Sequence, residues 1–208
     1  MSIEIEPKLN GPYLVRNLKS LKNSKGADIS SEKDVVFLCR CAKSNNKPYC
    51  DGSHKSIEFS SAVDKPKTGK WNDYAGEKIT IFDNRRLCAH AGHCTERLAS
   101  VWRMGETPWI DPDGADLEDI KAVIEKCPSG ALRYSIDGRH SDEGELVDEV
   151  YIFKNGPYHI TGAFTLNDSS RSTDGISDKC ALCRCGASKN KPFCDGSHWD
   201  AKFTDEDN

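Results

Sequence analysis

The chain is short of the residues that would commit it to a membrane or to nucleic acid. Apolar side chains make up 37% of its 208 residues, and no stretch approaches the ~18 consecutive apolar residues of a transmembrane helix. Cations show no excess either: 29 Lys and Arg against 33 Asp and Glu leave a net charge of −4. Without a basic stripe, nucleic acid is excluded as the main partner. The opening Met1-Ser-Ile-Glu-Ile-Glu-Pro7 lacks the basic start and apolar run of a signal peptide. Ten cysteines without an export signal predict a reducing compartment, the cytoplasm, with thiols on metals instead of in disulfides. One generous core is not expected, because units below roughly 70–80 residues usually need metals or other staples.

What the chain does have is a repeat. Cys39-Arg-Cys-Ala-Lys-Ser-Asn-Asn-Lys-Pro-Tyr-Cys-Asp-Gly-Ser-His54 returns as Cys183-Arg-Cys-Gly-Ala-Ser-Lys-Asn-Lys-Pro-Phe-Cys-Asp-Gly-Ser-His198, with twelve of sixteen positions identical. Asn10-Gly-Pro-Tyr13 returns as Asn155-Gly-Pro-Tyr158, and Phe59 as Phe203. Behind each Asn-Gly-Pro turn stands a short alternating stretch, Tyr13–Val15 and Tyr158–Ile160, then a polar loop, roughly Ser20–Asp34 and Asn167–Lys179. Each copy is expected to be a few short strands leading into a ligand loop, the two paired about a pseudo-two-fold. Cys-x-Cys places two sulfurs on one extended loop, and Pro48 or Pro192 stiffens the return to Cys50 or Cys194. Asp51 and Asp195 can cap the amides of a following turn, and Gly52 and Gly196 permit a tight entry. His54 and His198, four positions after the third cysteine, fall on its face of that turn. These ligand types by themselves also permit a Cys3His zinc site.

The signature Cys-x-Cys-x2-Ser-x3-Pro-x-Cys-Asp-Gly-Ser-His, complete in both copies (Ser44 and Ser188 included), resembles the CDGSH iron–sulfur domain of mitoNEET-type proteins. The resemblance implies one 2Fe–2S cluster per copy. Cys39 and Cys41 would hold the inner iron and Cys50 and His54 the outer, with Cys183, Cys185, Cys194 and His198 doing the same. It also implies that the copies interleave within one chain, an internal pseudo-dimer in a monomer. Replacing one thiolate by a neutral imidazole makes a cluster less negative and raises its potential, the direction known from Rieske centres. Protons compete with iron for that imidazole, so both clusters are expected to be labile in acid.

Between the copies lies a different unit. Lys78–Phe82 and Ala131–Ile136 alternate like strands; Leu117, Ile120, Val123 and Ile124 mark an amphipathic helix stopped at Cys127-Pro128. Ser60–Lys70 and Asp137–Glu145 have the composition of linkers. Cys88, Cys94 and the remote Cys127 resemble a divergent single-cluster ferredoxin domain, as do Pro108–Pro112 and Cys127–Leu132. A bacterial ferredoxin has cysteine at the middle position of its first run; here Ala91 stands there. Three cysteines suit a 3Fe–4S cluster, or a 4Fe–4S cluster completed by His90, His93 or solvent.

The fold class expected is α+β: two small β-rich CDGSH units, 1–62 and 141–208, around a ferredoxin-like domain, 63–140. Several residues are set aside. Cys180 aligns with Val36 and reads as a small buried residue; His159 has a cross-strand or surface place, and His140 is solvated. Trp71, Trp102 and Trp109 belong to the insert's core, and Asp111–Gly114 is a turn. Arg40 and Arg184 balance cluster charge or bind a redox partner. No nucleophile–base pair or cofactor loop points to an enzyme. The function expected is electron transfer or redox sensing with a reductase or ferredoxin-like acceptor. The alternatives are storage or transfer of whole clusters and a zinc-stabilised interaction module.

Overall fold

A computed structural model describes residues 2–63, 69–141, 146–169, 176, 178–206 and 208. In the first copy β1 (Ile3–Pro7), β2 (Tyr13–Arg16), β3 (Leu21–Lys22) and β4 (Val35–Leu38) precede one helical turn, α1 (Ser53–Ser56). The insert runs β5 (Asn72–Ala75), β6 (Thr80–Asp83), α2 (His93–Arg97), α3 (Leu117–Glu125), β7 (Leu132–Ile136), β8 (Arg139–His140). The second copy repeats the first as β9 (Glu149–Ile152), β10 (Tyr158–Thr161), β11 (Phe164–Leu166), β12 (Lys179–Leu182) and α4 (Ser197–Asp200). Asn10 and Asn155 stand at positive φ, 49° and 52°, a conformation Asn tolerates better than most residues. They start the turns that fold β1 on β2 and β9 on β10.

The copies exchange strands. The sheet orders are β11-β1-β2-β4 and β12-β10-β9-β3, so each copy lends a short strand to the other's sheet. Both lent strands pair in parallel, Ile3 opposite Phe164 and Ile5 opposite Leu166, Leu21 opposite Val150 and Lys22 opposite Tyr151. Their inward side chains join one core drawn from both halves, with Ile5, Val15, Leu21, Val150, Ile152 and Ile160 all at 1% exposure or less. Tyr13 and Tyr158 meet edge to face at its centre, centroids 6.1 Å apart. Two copies that could bury little apolar surface separately thus make one core of useful size.

The insert has its own core. β5, β6, β7 and β8 form an antiparallel sheet in that order, and Ile120, Val123 and Ile124 of α3 pack with Ile81, Val101, Trp102 and Ile110. The expected helical face is the buried one, with Leu117 at its edge.

Three expectations are corrected. The Ser20–Asp34 stretch is not wholly loop, because Leu21–Lys22 is the lent strand β3. Asp137–Glu145 begins as a hairpin: Asp137 and Gly138, at φ 50° and 79°, turn β7 into β8. His140 on that strand is exposed, as expected of a solvated residue, with the Phe82 ring 5.3 Å away. Trp71 packs on the shared core instead of the insert's, with the Arg133 guanidinium 4.3 Å from its ring. Positions 64–68, 142–145, 170–175 and 177, within the stretches taken for linkers and loop, lie outside the described residues. Cys180 is buried, and His159 sits mid-sheet between Tyr151 and Ala181, where burial depresses its pKa to about 4.

Candidate metal centres

Each ligand loop is closed by its own backbone. The Cys39 amide donates to the Pro48 carbonyl and the Cys50 amide to that of Phe37, both at 2.7 Å, so the excursion folds back on β4. The Ser44 hydroxyl donates to the Tyr49 carbonyl at 2.6 Å and accepts from the Asn46 amide at 3.0 Å. Asp51 accepts from the Ser53 hydroxyl and amide and, through its other oxygen, from the Asn45 amide. Those bonds hold its carboxyl well below the usual carboxylate range, Ser53 contributing most. Ser188 and Asp195 repeat the pattern in the second loop. Gly52 and Gly196, at φ 93° and 86°, start α1 and α4 in a conformation costly for any side chain.

This scaffold gathers the predicted donors in pairs. Cys39 and Cys41 Sγ stand 3.9 Å apart, and Cys50 Sγ stands 3.4 Å from His54 Nδ1. In the second copy the separations are 3.7 Å for Cys183 and Cys185 and 3.4 Å for Cys194 and His198 Nδ1. A tetrahedral metal with ~2.3 Å bonds to sulfur spaces its ligands by roughly 3.8 Å. Each pair therefore fits one metal, and each loop fits a centre of two. Among the described residues no three Cys, His, Asp or Glu side chains gather around one ion-sized point. Burial pushes the Cys41 thiol up to about 11 and that of Cys194 to about 12, whereas the neighbouring Cys183 lowers that of Cys185 to about 7. Metal loading displaces the protons of the raised thiols.

Each unit also braces the other's loop, a role that sequence reasoning missed. Tyr13 Oη lies 2.8 Å from the Cys183 carbonyl and 3.0 Å from that of Pro192. Tyr158 Oη lies 2.9 Å from the Cys39 carbonyl and 3.1 Å from that of Pro48. Burial raises both phenols well above their ordinary pKa, keeping them donors. Tyr158→Phe strands the Cys39 carbonyl and should cost about 1–3 kcal/mol. Denaturant unfolding checks this, and Tyr13→Phe should match it from the other side.

The two sites differ at their outer pair. Cys50 and His54 are half-buried, whereas Cys194 is 2% and His198 6% exposed. An accessible outer pair is thus found in the first site and not in the second. The insert covers the second: Ala89 packs with Cys194 and Ala181, and Asn190 Nδ2 donates to the Arg86 carbonyl at 2.8 Å. A Cβ on Gly196 would meet His90 Cβ at 3.1 Å, while one on Gly52 would meet nothing. Burial lowers the pKa of His198. Arg40 and Arg184 are both buried, so neither is a docking residue.

In the insert, Cys88, Cys94 and Cys127 line one cavity of about 250 Å³, together with His90 and His93. Cys88 follows the turn after β6, Cys94 stands in α2 and Cys127 just after α3, so three elements converge there. His90 is exposed and His93, opening α2, is half-buried. Asp83 lines the same cavity at 1% exposure, with the Trp109 ring and the Arg85 guanidinium as its polar neighbours. Burial pushes its pKa up to about 6, against the opposing pull of Arg85 at 4.0 Å. A buried carboxylate beside three thiolates could complete a cluster where Ala91 cannot. Its only signal in the sequence is a place at the end of β6, which reads as an ordinary turn.

The donor sets and their spacing are those of iron–sulfur proteins. A family model described as iron-binding zinc finger, CDGSH type, matches residues 10–55 and 155–199, and one described as divergent 4Fe–4S mono-cluster matches 74–137. The uncharacterized protein YjdI of Escherichia coli is 39% identical over 66 residues, 32% of this chain and 87% of YjdI. A CDGSH iron-sulfur domain-containing protein 2 homolog of Drosophila mojavensis is 49% identical over 87 residues, covering 39% of this chain and half of that protein. The chain belongs to the CDGSH iron–sulfur family, with two CDGSH units and a divergent 4Fe–4S region inserted between them. No helix among the described residues is long and apolar enough to cross a membrane.

Proposed function

We propose that this is a one-electron carrier with two 2Fe–2S centres, one on Cys39, Cys41, Cys50 and His54 and one on Cys183, Cys185, Cys194 and His198. The observation that carries this is the division of each donor set into two metal-spaced pairs, twice over. Cys88, Cys94 and Cys127 hold a further 3Fe–4S or 4Fe–4S cluster, for which Asp83, His90 and His93 line the remaining side. When bound, such clusters supply reversible one-electron redox chemistry at potentials set by charge, hydrogen bonds and exposure. The chain's own part is to hold the sulfurs, bury the inner pair of the first site and the outer pair of the second, and leave Cys50 and His54 accessible. The chain acts as a monomer, without enzymatic turnover of a substrate, in the cytoplasm, and its partner is a redox protein, a reductase or a ferredoxin-like acceptor.

A second reading, delivery of whole clusters, is favoured by the half-buried outer pair of the first site. The two are separated by comparing reduction by a cellular flavin reductase with cluster transfer to an apo-ferredoxin. Fast reduction with clusters retained is expected. Slow reduction with stoichiometric transfer would reverse the assignment.

A further inference from the structure

Near-identical loops place an arginine between their paired cysteines, but among the described residues only Arg184 has a carboxylate partner. Arg184 donates to the Gly156 carbonyl at 2.9 Å and the Phe153 carbonyl at 3.1 Å, and its third contact is an ion pair with Asp205. Arg184 and Asp205 are 1% and 4% exposed, so the pair is sealed. Arg40 is 3% exposed and stands on the rings of Tyr13 and Phe59, as Arg184 stands on Tyr158 and Phe203. It donates to the Lys8 carbonyl at 3.3 Å, its Nε has no acceptor, and among the described residues it has no carboxylate partner. The reason is a single position. Asp205 corresponds to Ser61, and each hangs from the matching asparagine, its amide bonded to Asn155 or Asn10.

A buried charge without a counter-charge acts over a longer range than a solvated one. We propose that Arg40 holds the reduction potential of the first CDGSH centre above that of the second. The inference rests on both sites holding 2Fe–2S clusters. Reduction adds a negative charge, which a nearby uncompensated cation favours and a neutral ion pair does not. Arg40 is peptide-bonded to both inner ligands of its own site, and it reaches the second through Tyr13, whose ring it stands on and whose hydroxyl bonds the Cys183 carbonyl. Exposure does not settle the order by itself. The outer pair is wetter in the first site, but the inner pair runs the other way, Cys41 at 7% against a half-buried Cys185. The insert brings Arg86 to the second site, 5.7 Å from the Phe193 ring, but it is Arg40 and Arg184 that stand between the inner ligands.

The test is a potentiometric titration of the full-length, anaerobically purified protein, followed by the EPR signal of reduced His-ligated clusters. Two midpoints are expected, and His54→Cys should move the upper one down. Ser61→Asp, which supplies the missing acid, should lower the upper midpoint and narrow the gap. Arg40→Gln should narrow it too, which covers the case in which an aspartate at 61 disturbs the fold. A single shared midpoint, or a gap that neither variant changes, overturns the proposal while leaving the two-cluster assignment standing. A wild-type protein with no such EPR signal removes both.

Discussion

Changing both His54 and His198 to Cys should abolish the acid bleaching of the protein's visible absorption, and either change alone should abolish about half of it. Imidazole binds metal only through its neutral form, and each pH unit below its pKa raises the ratio of protonated to neutral ring about tenfold. The bleaching rate of the wild-type protein should therefore steepen with acid, below an ordinary imidazole pKa of about 6.5. The two centres should not bleach in step. Burial under the insert lowers the pKa of His198, which shifts proton competition at that site to lower pH, and its limited solvent access slows escape of iron. Stopped-flow absorbance across pH 4–7, compared between the single variants, checks both points. An unchanged rate in the double variant would show that the histidines are not the weak ligands.

Cys127→Ala should remove the insert's cluster and leave the twin centres in place. About four irons and four sulfides belong to two 2Fe–2S centres, and an occupied insert adds about three or four irons. Cys127 stands immediately after α3 and lines the cavity with Cys88 and Cys94. Losing it leaves two thiolates, too few for a cubane-type cluster. Cys127 packs only at the margin of the shared core and takes no part in the Tyr13 and Tyr158 bonds, so the CDGSH absorption should persist. Iron and sulfide assays on both proteins read the difference directly. Equal iron contents would mean that the three insert cysteines hold no cluster.

The parts of this molecule with a strict spacing were legible before the structure. The paired donors follow from Cys-x-Cys and the i, i+4 relation of Cys50 with His54, because a loop and one helical turn fix them locally. α3 follows from the period of Leu117, Ile120, Val123 and Ile124. What remained hidden is long-range. Leu21-Lys22 is too short to show a period, and its partner Val150 lies in the other copy. The hydroxyls of Tyr13 and Tyr158 reach across the shared core, and nothing near either residue marks the target. The docking of Ala89 and His90 against one copy alone breaks a symmetry that the repeat by itself predicts to be whole. Asp83 carries no motif, and only its burial beside the cysteines distinguishes it. The Ser61 and Asp205 difference lies just beyond the repeated motif, and it gained meaning once both arginines proved buried.

The central claim is that each CDGSH loop holds two irons through three sulfurs and one imidazole. Mössbauer spectroscopy of iron-57-enriched, anaerobically purified protein tests it most directly. The account predicts, in each reduced twin centre, one iron in an all-sulfur environment and one with a nitrogen ligand, in equal amounts. A colourless protein holding two zinc ions and no iron would contradict it.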